Sequence, residues 1–215
     1  MIAGAMWFNS GILLFADAET DFRGTVRADS HTVLPKYYGA HPGASSVFVL
    51  SERGKRRMWE FHRCEEVLAS IPLEDCTLER MREAVEKSLV DIGDEKVDFV
   101  ALYSAKEQQY SLYRMSGTML QEVVGCDCEG PAAPLGHRLM HHRYTAARAM
   151  ETLDLTHVFS IATETLGVIR ATYPACGECS EMIVMYANGR LSKVQHMVNE
   201  SAKKRNEALT ALGRT

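Results

Sequence analysis

No stretch of this sequence reaches the ~18–20 consecutive apolar residues that a membrane span needs. Positive charge is not in surplus either. The formal net charge is -4, which removes the electrostatic case for nucleic acid or an anionic membrane as partner. One dense basic cluster, Gly54-Lys55-Arg56-Arg57, reads as the solvated opening of a helix. Internal repeats, low-complexity tracts and Pro/Gly/Ser-rich linkers are missing, so a second domain is not expected. A single domain, 1–215, with a sizeable core suits a chain of 215 residues. The start has no basic n-region, and Asp17 and Glu19 interrupt its apolar stretch, so a signal peptide is not expected. The expected compartment is the cytoplasm. There, six cysteines are reduced thiols or metal ligands more readily than disulfides.

What the sequence does have is a strongly apolar opening. Ile2 to Phe8 is apolar throughout, Asn9-Ser10-Gly11 is a turn cluster, and Ile12 to Ala16 is apolar again before Asp17 closes the run. Two apolar runs around a turn predict two buried strands. His31 to Tyr38, which carries Lys36, is a further strand that Pro35 confines to an edge or bulge. Ser46 to Leu50 is a short buried strand.

A helix is predicted from about Arg53 to Ser70, with Met58, Phe61, Cys64, Leu68 and Ile71 on one stripe. A second follows from a Thr77 cap to about Ile92. Val97 to Tyr103 is a strand, and Gln109 to Met115 with Met119 to Val124 form a hairpin around Ser116-Gly117. Gly125 to Pro131 reads as a loop. Ala132 to Met150 is compatible with a helix, and Asp154 caps another with Leu155, Val158, Ala162, Leu166 and Ile169 as its stripe. Asn188-Gly189 joins a last hairpin, Met182 to Ala187 and Arg190 to Gln195. Strands and helices thus come in blocks, which argues for α+β layers and not a doubly wound sheet.

This order, with a strand at residue 1 followed by Gly11-Ile12-Leu13-Leu14-Phe15-Ala16-Asp17, resembles the N-terminal nucleophile (Ntn) hydrolases. In particular it is similar to the proteasome β-type subunits and the HslV-like peptidases. The resemblance implies a four-layer α-β-β-α sandwich and a homo-oligomer or a ring with related subunits. It also implies a threonine peptidase site. In that family the side chain of residue 1 is the nucleophile, its own α-amine is the base, and an acid and a lysine set the charge around them. Asp17 matches the acid and Lys36 falls near the lysine.

The nucleophile position is held by Met1, whose thioether has no proton to lose. Removal of that methionine would expose Ile2, which is no better, and no propeptide hides a threonine in register. Pro174-Ala-Cys-Gly-Glu-Cys-Ser180 also departs from the acid and Ser-Gly pair expected after the long helix. These departures imply a proteasome-like subunit without peptidase activity. As plain residues, Asp17 would be an acid at a strand end and Lys36 a surface lysine.

Cys126 and Cys128 lie in GCDCEG, and Cys176 and Cys179 in ACGEC. CxxC is a common metal spacing, whereas CxC is less usual for zinc. The four thiolates are candidates for one structural zinc or a redox pair, against four unlinked thiols. Either loop is also a candidate source of a cysteine nucleophile, with Lys36 or a histidine to activate it. That second reading is an active hydrolase of the same superfamily, and a third is a plain α+β binding domain. His137 and His141, at i and i+4, would share a helix face as paired ligands can, but Arg138 and Arg143 favour a solvated face.

Overall fold

The computed structural model describes residues 2–17, 32–37, 44–50, 64, 66–92, 97–116, 119–173 and 180–193. The apolar opening forms β1 (Ala3–Phe8) and β2 (Gly11–Asp17), an antiparallel hairpin in which Ala3 lies opposite Ala16 and Phe8 opposite Gly11. The chain continues through β3 (Thr32–Tyr37), β4 (Ala44–Leu50), helical residues at 66–69, α1 (Leu78–Ile92), β5 (Val97–Ser104), β6 (Gln109–Ser116), β7 (Met119–Glu122) and β8 (Cys126–Glu129). It then runs through α2 (Ala133–Ala149), α3 (Leu155–Thr172), β9 (Ser180–Tyr186) and β10 (Leu191–Lys193).

The predicted caps form. The hydroxyl of Thr77 accepts from Arg80 N at 3.3 Å, and the carboxylate of Asp154 accepts from His157 N at 2.9 Å. The predicted helix over 53–70 is described only at its end. Gly54 to Arg57 and Trp59 lie outside the described residues, as do the residues after Lys193.

The strands make two antiparallel five-stranded sheets, β10-β9-β2-β1-β8 and β3-β4-β5-β6-β7. Strand alternation decides what each face meets. Ala3, Ala5, Ile12, Leu14 and Ala16 pack with Val47, Val49, Phe99 and Ala101 of the second sheet. The opposite face of the same hairpin, with Ile2, Met6, Leu13 and Phe15, packs with Met140 of α2 and Val158, Leu166 and Ile169 of α3. The second sheet turns Phe48, Val100, Leu102 and Tyr113 toward Cys64, Leu68, and Met81 and Val85 of α1. A fully buried Ile, Leu or Phe contributes ~1.5–3 kcal/mol, so the hairpin, apolar on both faces, belongs to two of the three cores at once. This is an α+β chain of two antiparallel sheets with helices.

One prediction fails here. Cys126 to Glu129 is not a loop but β8, whose residues run from Met6↔Cys126 to Ala3↔Glu129 against β1. Without it, β1 would present an unpaired edge in the middle of the core. Gly125 (φ 99°) and Gly130 (φ 107°) let the chain turn sharply at each end of β8. Among the described residues no helix is long and apolar enough to cross a membrane.

Candidate functional site

The head of β1 is where the sequence places its candidate chemistry. Asp17 ends β2 beside it. Its backbone N–H donates to the carbonyl of Ile2 at 2.9 Å, and its Cα lies opposite Ser180 of β9. The Asp17 residue is 2 % exposed. It continues the alternation of Leu13 and Phe15, the face of β2 that belongs to the helix-side core. Lys36 lies in β3 with its backbone opposite Ser46. Met1, the Lys36 side chain, Cys176 and Cys179 lie outside the described residues.

Cys126 and Cys128, two residues apart on β8, share one face, and both join the helix-side core. Cys128 is 2 % exposed, and its thiol lies 3.4 Å from the carbonyl of Ala133. Burial first, and the negative charge of Asp127 second, push both thiols up to about 12. A nucleophilic cysteine needs the opposite, a thiol that ionises readily. Among the described residues no group of three or more His, Cys, Asp and Glu side chains is placed to hold a metal ion.

A charged cluster that the sequence reading missed lies on the other face of β8. Asp127 accepts from Arg114 Nη1 of β6 at 3.1 Å and from the Cys128 backbone N–H at 2.8 Å. His137 Nε2 of α2 lies 2.7 Å from Asp127 Oδ1; an ionised carboxylate only accepts, so that nitrogen carries the proton. Arg114 also meets Glu129 at 3.3 Å. One carboxylate therefore bonds to a strand of the second sheet and to a helix packed on the first. The available signal was alternation: if the cysteines face one side, the acids between and after them face the other. His137 and His141 do not converge, because His141 Nδ1 lies 3.0 Å from the Thr145 hydroxyl.

With this geometry in hand, comparison with known proteins is informative at the level of the fold. No protein-family model matches the chain, and no curated protein sequence matches it. Solved structures do. An Anbu (Gly-1) mutant from Hyphomicrobium sp. strain MC1 superposes with a TM-score of 0.68 at 10% identity, covering 100% of this chain and 97% of that one. A second Anbu structure from the same strain gives 0.64 at 10% identity, covering 100% and 98%. Anbu (ancestral beta-subunit) from Yersinia bercovieri gives 0.64 at 10% identity, covering 98% and 97%. The class defined here is an α+β fold of two antiparallel sheets with helices. Anbu proteins are among those that share it.

This corrects the assignment to the proteasome β-type and HslV-like peptidases. The resemblance rested on the strand at residue 1, the GILLFAD motif, the position of Lys36 and the order of strand and helix blocks. Anbu structures match over essentially the whole chain, and at 10% identity they carry the fold alone.

Proposed function

We propose that this chain is a non-peptidase subunit of a proteasome-related, Anbu-like oligomer, acting as a structural or binding component in the cytoplasm. The single observation that carries the reading is chemical. Met1-Ile2-Ala3-Gly4-Ala5-Met6-Trp7-Phe8, the residues leading into and through β1, contain no hydroxyl and no thiol. No group there can attack an amide as a threonine, serine or cysteine does. Asp17 and Lys36, the positions the resemblance nominates, then act as structure, Asp17 by closing the head of the hairpin. The alternative, hydrolysis by a cysteine, is opposed by the raised thiols of Cys126 and Cys128. A four-layer α-β-β-α order belongs to the same reading. It is supported by three separate cores, one between the sheets and one on the outer face of each.

The test pairs two measurements on the full chain. Fluorogenic peptides are expected to give no turnover above a buffer blank, and light scattering is expected to give a mass several times the 24.0 kDa of one chain. Turnover that a threonine- or cysteine-directed covalent probe abolishes would overturn the non-peptidase assignment. A monodisperse monomer at micromolar concentration would overturn the oligomer.

A further inference from the structure

A cavity lies at the opposite end of the hairpin from Asp17. It measures about 700 Å³, within the ~300–1,000 Å³ typical of small-ligand sites. Trp7, Phe8 and Leu153 give it an apolar floor, and the end of α2 gives it a polar wall. The Trp7 indole N–H is already used on the carbonyl of Val123 at 2.7 Å, and its ring lies against Tyr110 at 5.2 Å. Trp7 therefore offers the cavity a fixed aromatic surface and no donor.

Tyr144 in the wall is 5 % exposed, yet its phenol has no hydrogen-bond partner among the described residues. Its hydroxyl atom is not sealed in the core, so it is open to a partner that enters the cavity. Burial pushes this phenol up to about 12, so it stays protonated and can donate. Arg148, one helical turn on, forms no ion pair among the described residues. Two donors, one of them cationic, thus line one wall without a protein acceptor. Glu122 and Glu151 line the same cavity and supply two carboxylates, of which Glu122 Oε1 also accepts from the Ser111 hydroxyl at 2.7 Å. Glu151 holds a left-handed backbone (φ 55°) that closes α2, with Thr152 N donating to the Ala147 carbonyl at 3.1 Å.

We infer that this cavity binds a small zwitterion with a large apolar side chain, an α-amino acid or short peptide. Its carboxylate would meet Tyr144 and Arg148, its ammonium a glutamate, and its side chain the Trp7 floor. The charges decide the class. An anion alone would face two carboxylates, a cation alone would face Arg148, and a neutral apolar group would leave the Tyr144 hydroxyl unpaired. The inference is independent of the proposed lack of peptidase activity.

The experiment is calorimetric titration of the full chain with four probes: L-phenylalanine, its amide, its N-acetyl derivative, and the Phe-Phe dipeptide. L-phenylalanine or the dipeptide is expected to bind saturably at ~1 mM or tighter, and which of the two binds better separates the two sources. Loss of either charge should weaken binding about tenfold or more. Tyr144→Phe keeps the ring and should weaken L-phenylalanine about tenfold while leaving the amide unchanged. Arg148→Gln, at an exposed position, gives a second reading if the tyrosine variant unfolds. Equal binding of all probes would reduce the cavity to an apolar groove. No saturable binding of any probe, or binding indifferent to both variants, would overturn the inference.

Discussion

The backbone N–H of Asp17 reaches the carbonyl of Ile2 across 2.9 Å, tying the last residue of β2 to the residue that enters β1. The side chain beside that bond is buried. A carboxylate so deep costs several kcal/mol in lost hydration unless its surroundings hold it. Asp17→Ala leaves the main-chain bond in place and removes only what the carboxylate contributes. The variant should lose about 1–3 kcal/mol in urea unfolding, and peptide turnover should stay at the blank. A variant within ~0.5 kcal/mol of the parent would show that the carboxylate has no structural part.

Two glycines, Gly4 within this hairpin and Gly136 packed against it, should respond differently to a methyl group. At Gly4 a Cβ would meet the Phe15 ring, with Cε1 at 2.6 Å and Cζ nearer still. That ring is fully buried and has nowhere to turn. Overpacking there should cost about 1–3 kcal/mol. At Gly136 the added carbon would meet Ile2 Cδ1, the far end of a flexible side chain, and Cys128 Sγ at 3.1 Å. Gly136 lies within α2, where alanine is favoured over glycine by ~1 kcal/mol. Gly136→Ala should therefore be milder than Gly4→Ala by roughly 1 kcal/mol, read from urea midpoints. Equal losses would mean that the Phe15 side chain yields.

Asp127 joins three elements through one carboxylate, so its loss should exceed that of its partners. The Asp127 side chain is 12 % exposed, against 35 % for Arg114 and 46 % for His137. Asp127→Ala leaves Arg114 with Glu129 alone and takes a side-chain acceptor from the Cys128 N–H, and should cost about 1–3 kcal/mol. His137→Ala removes an exposed partner and should cost under about 1 kcal/mol. The ranking is checked by chemical denaturation at moderate salt, and a histidine variant as damaging as the aspartate variant would refute it.

The strands and caps were legible because each obeys a local rule. Ile2 to Phe8 and Ile12 to Ala16 are apolar runs around Asn9-Ser10-Gly11, Thr77 and Asp154 stand one residue before their helices, and Asn188-Gly189 lies in the turn between β9 and β10. The strand at Cys126–Glu129 was hidden because four residues rich in cysteine and acid carry no β signature; only the open edge of β1 demands them. The same strand carries Cys126 and Cys128 into the core under α2. The cavity below Tyr144 was invisible for another reason. Trp7, Tyr144 and Glu122 lie far apart in sequence, and nothing local says that they meet.

The raised thiols make a prediction about accessibility in time. At pH 8 a thiol near 12 is ionised to ~0.01 %, so only that share can attack an alkylating agent. Iodoacetamide should modify Cys126 and Cys128 on the order of a thousandfold more slowly in the folded chain than in denaturant, followed by site-resolved mass spectrometry. Rapid labelling of either in the folded chain would restore the case for a reactive cysteine.

The same groups set how stability depends on alkaline pH. In the unfolded chain the thiols titrate near 9.0 and the Tyr144 phenol near 10.0, whereas in the folded chain all three wait until about 12. Between those limits the folded state holds protons that the unfolded state has released. Stability from these groups is therefore complete below about pH 9 and falls as pH climbs toward 12, by up to ~1.4 kcal/mol per pH unit for each group. Cys128 is the cleanest probe because it is buried almost completely and lies apart from the proposed ligand cavity. Cys128→Ala should start less stable near neutral pH, since it loses packing against α2, but its stability should decline less steeply between about pH 9 and about pH 11. Urea unfolding of parent and variant across that range reads the difference in slope. Parallel curves would mean that the Cys128 thiol ionises alike in both states and that burial does not hold its proton.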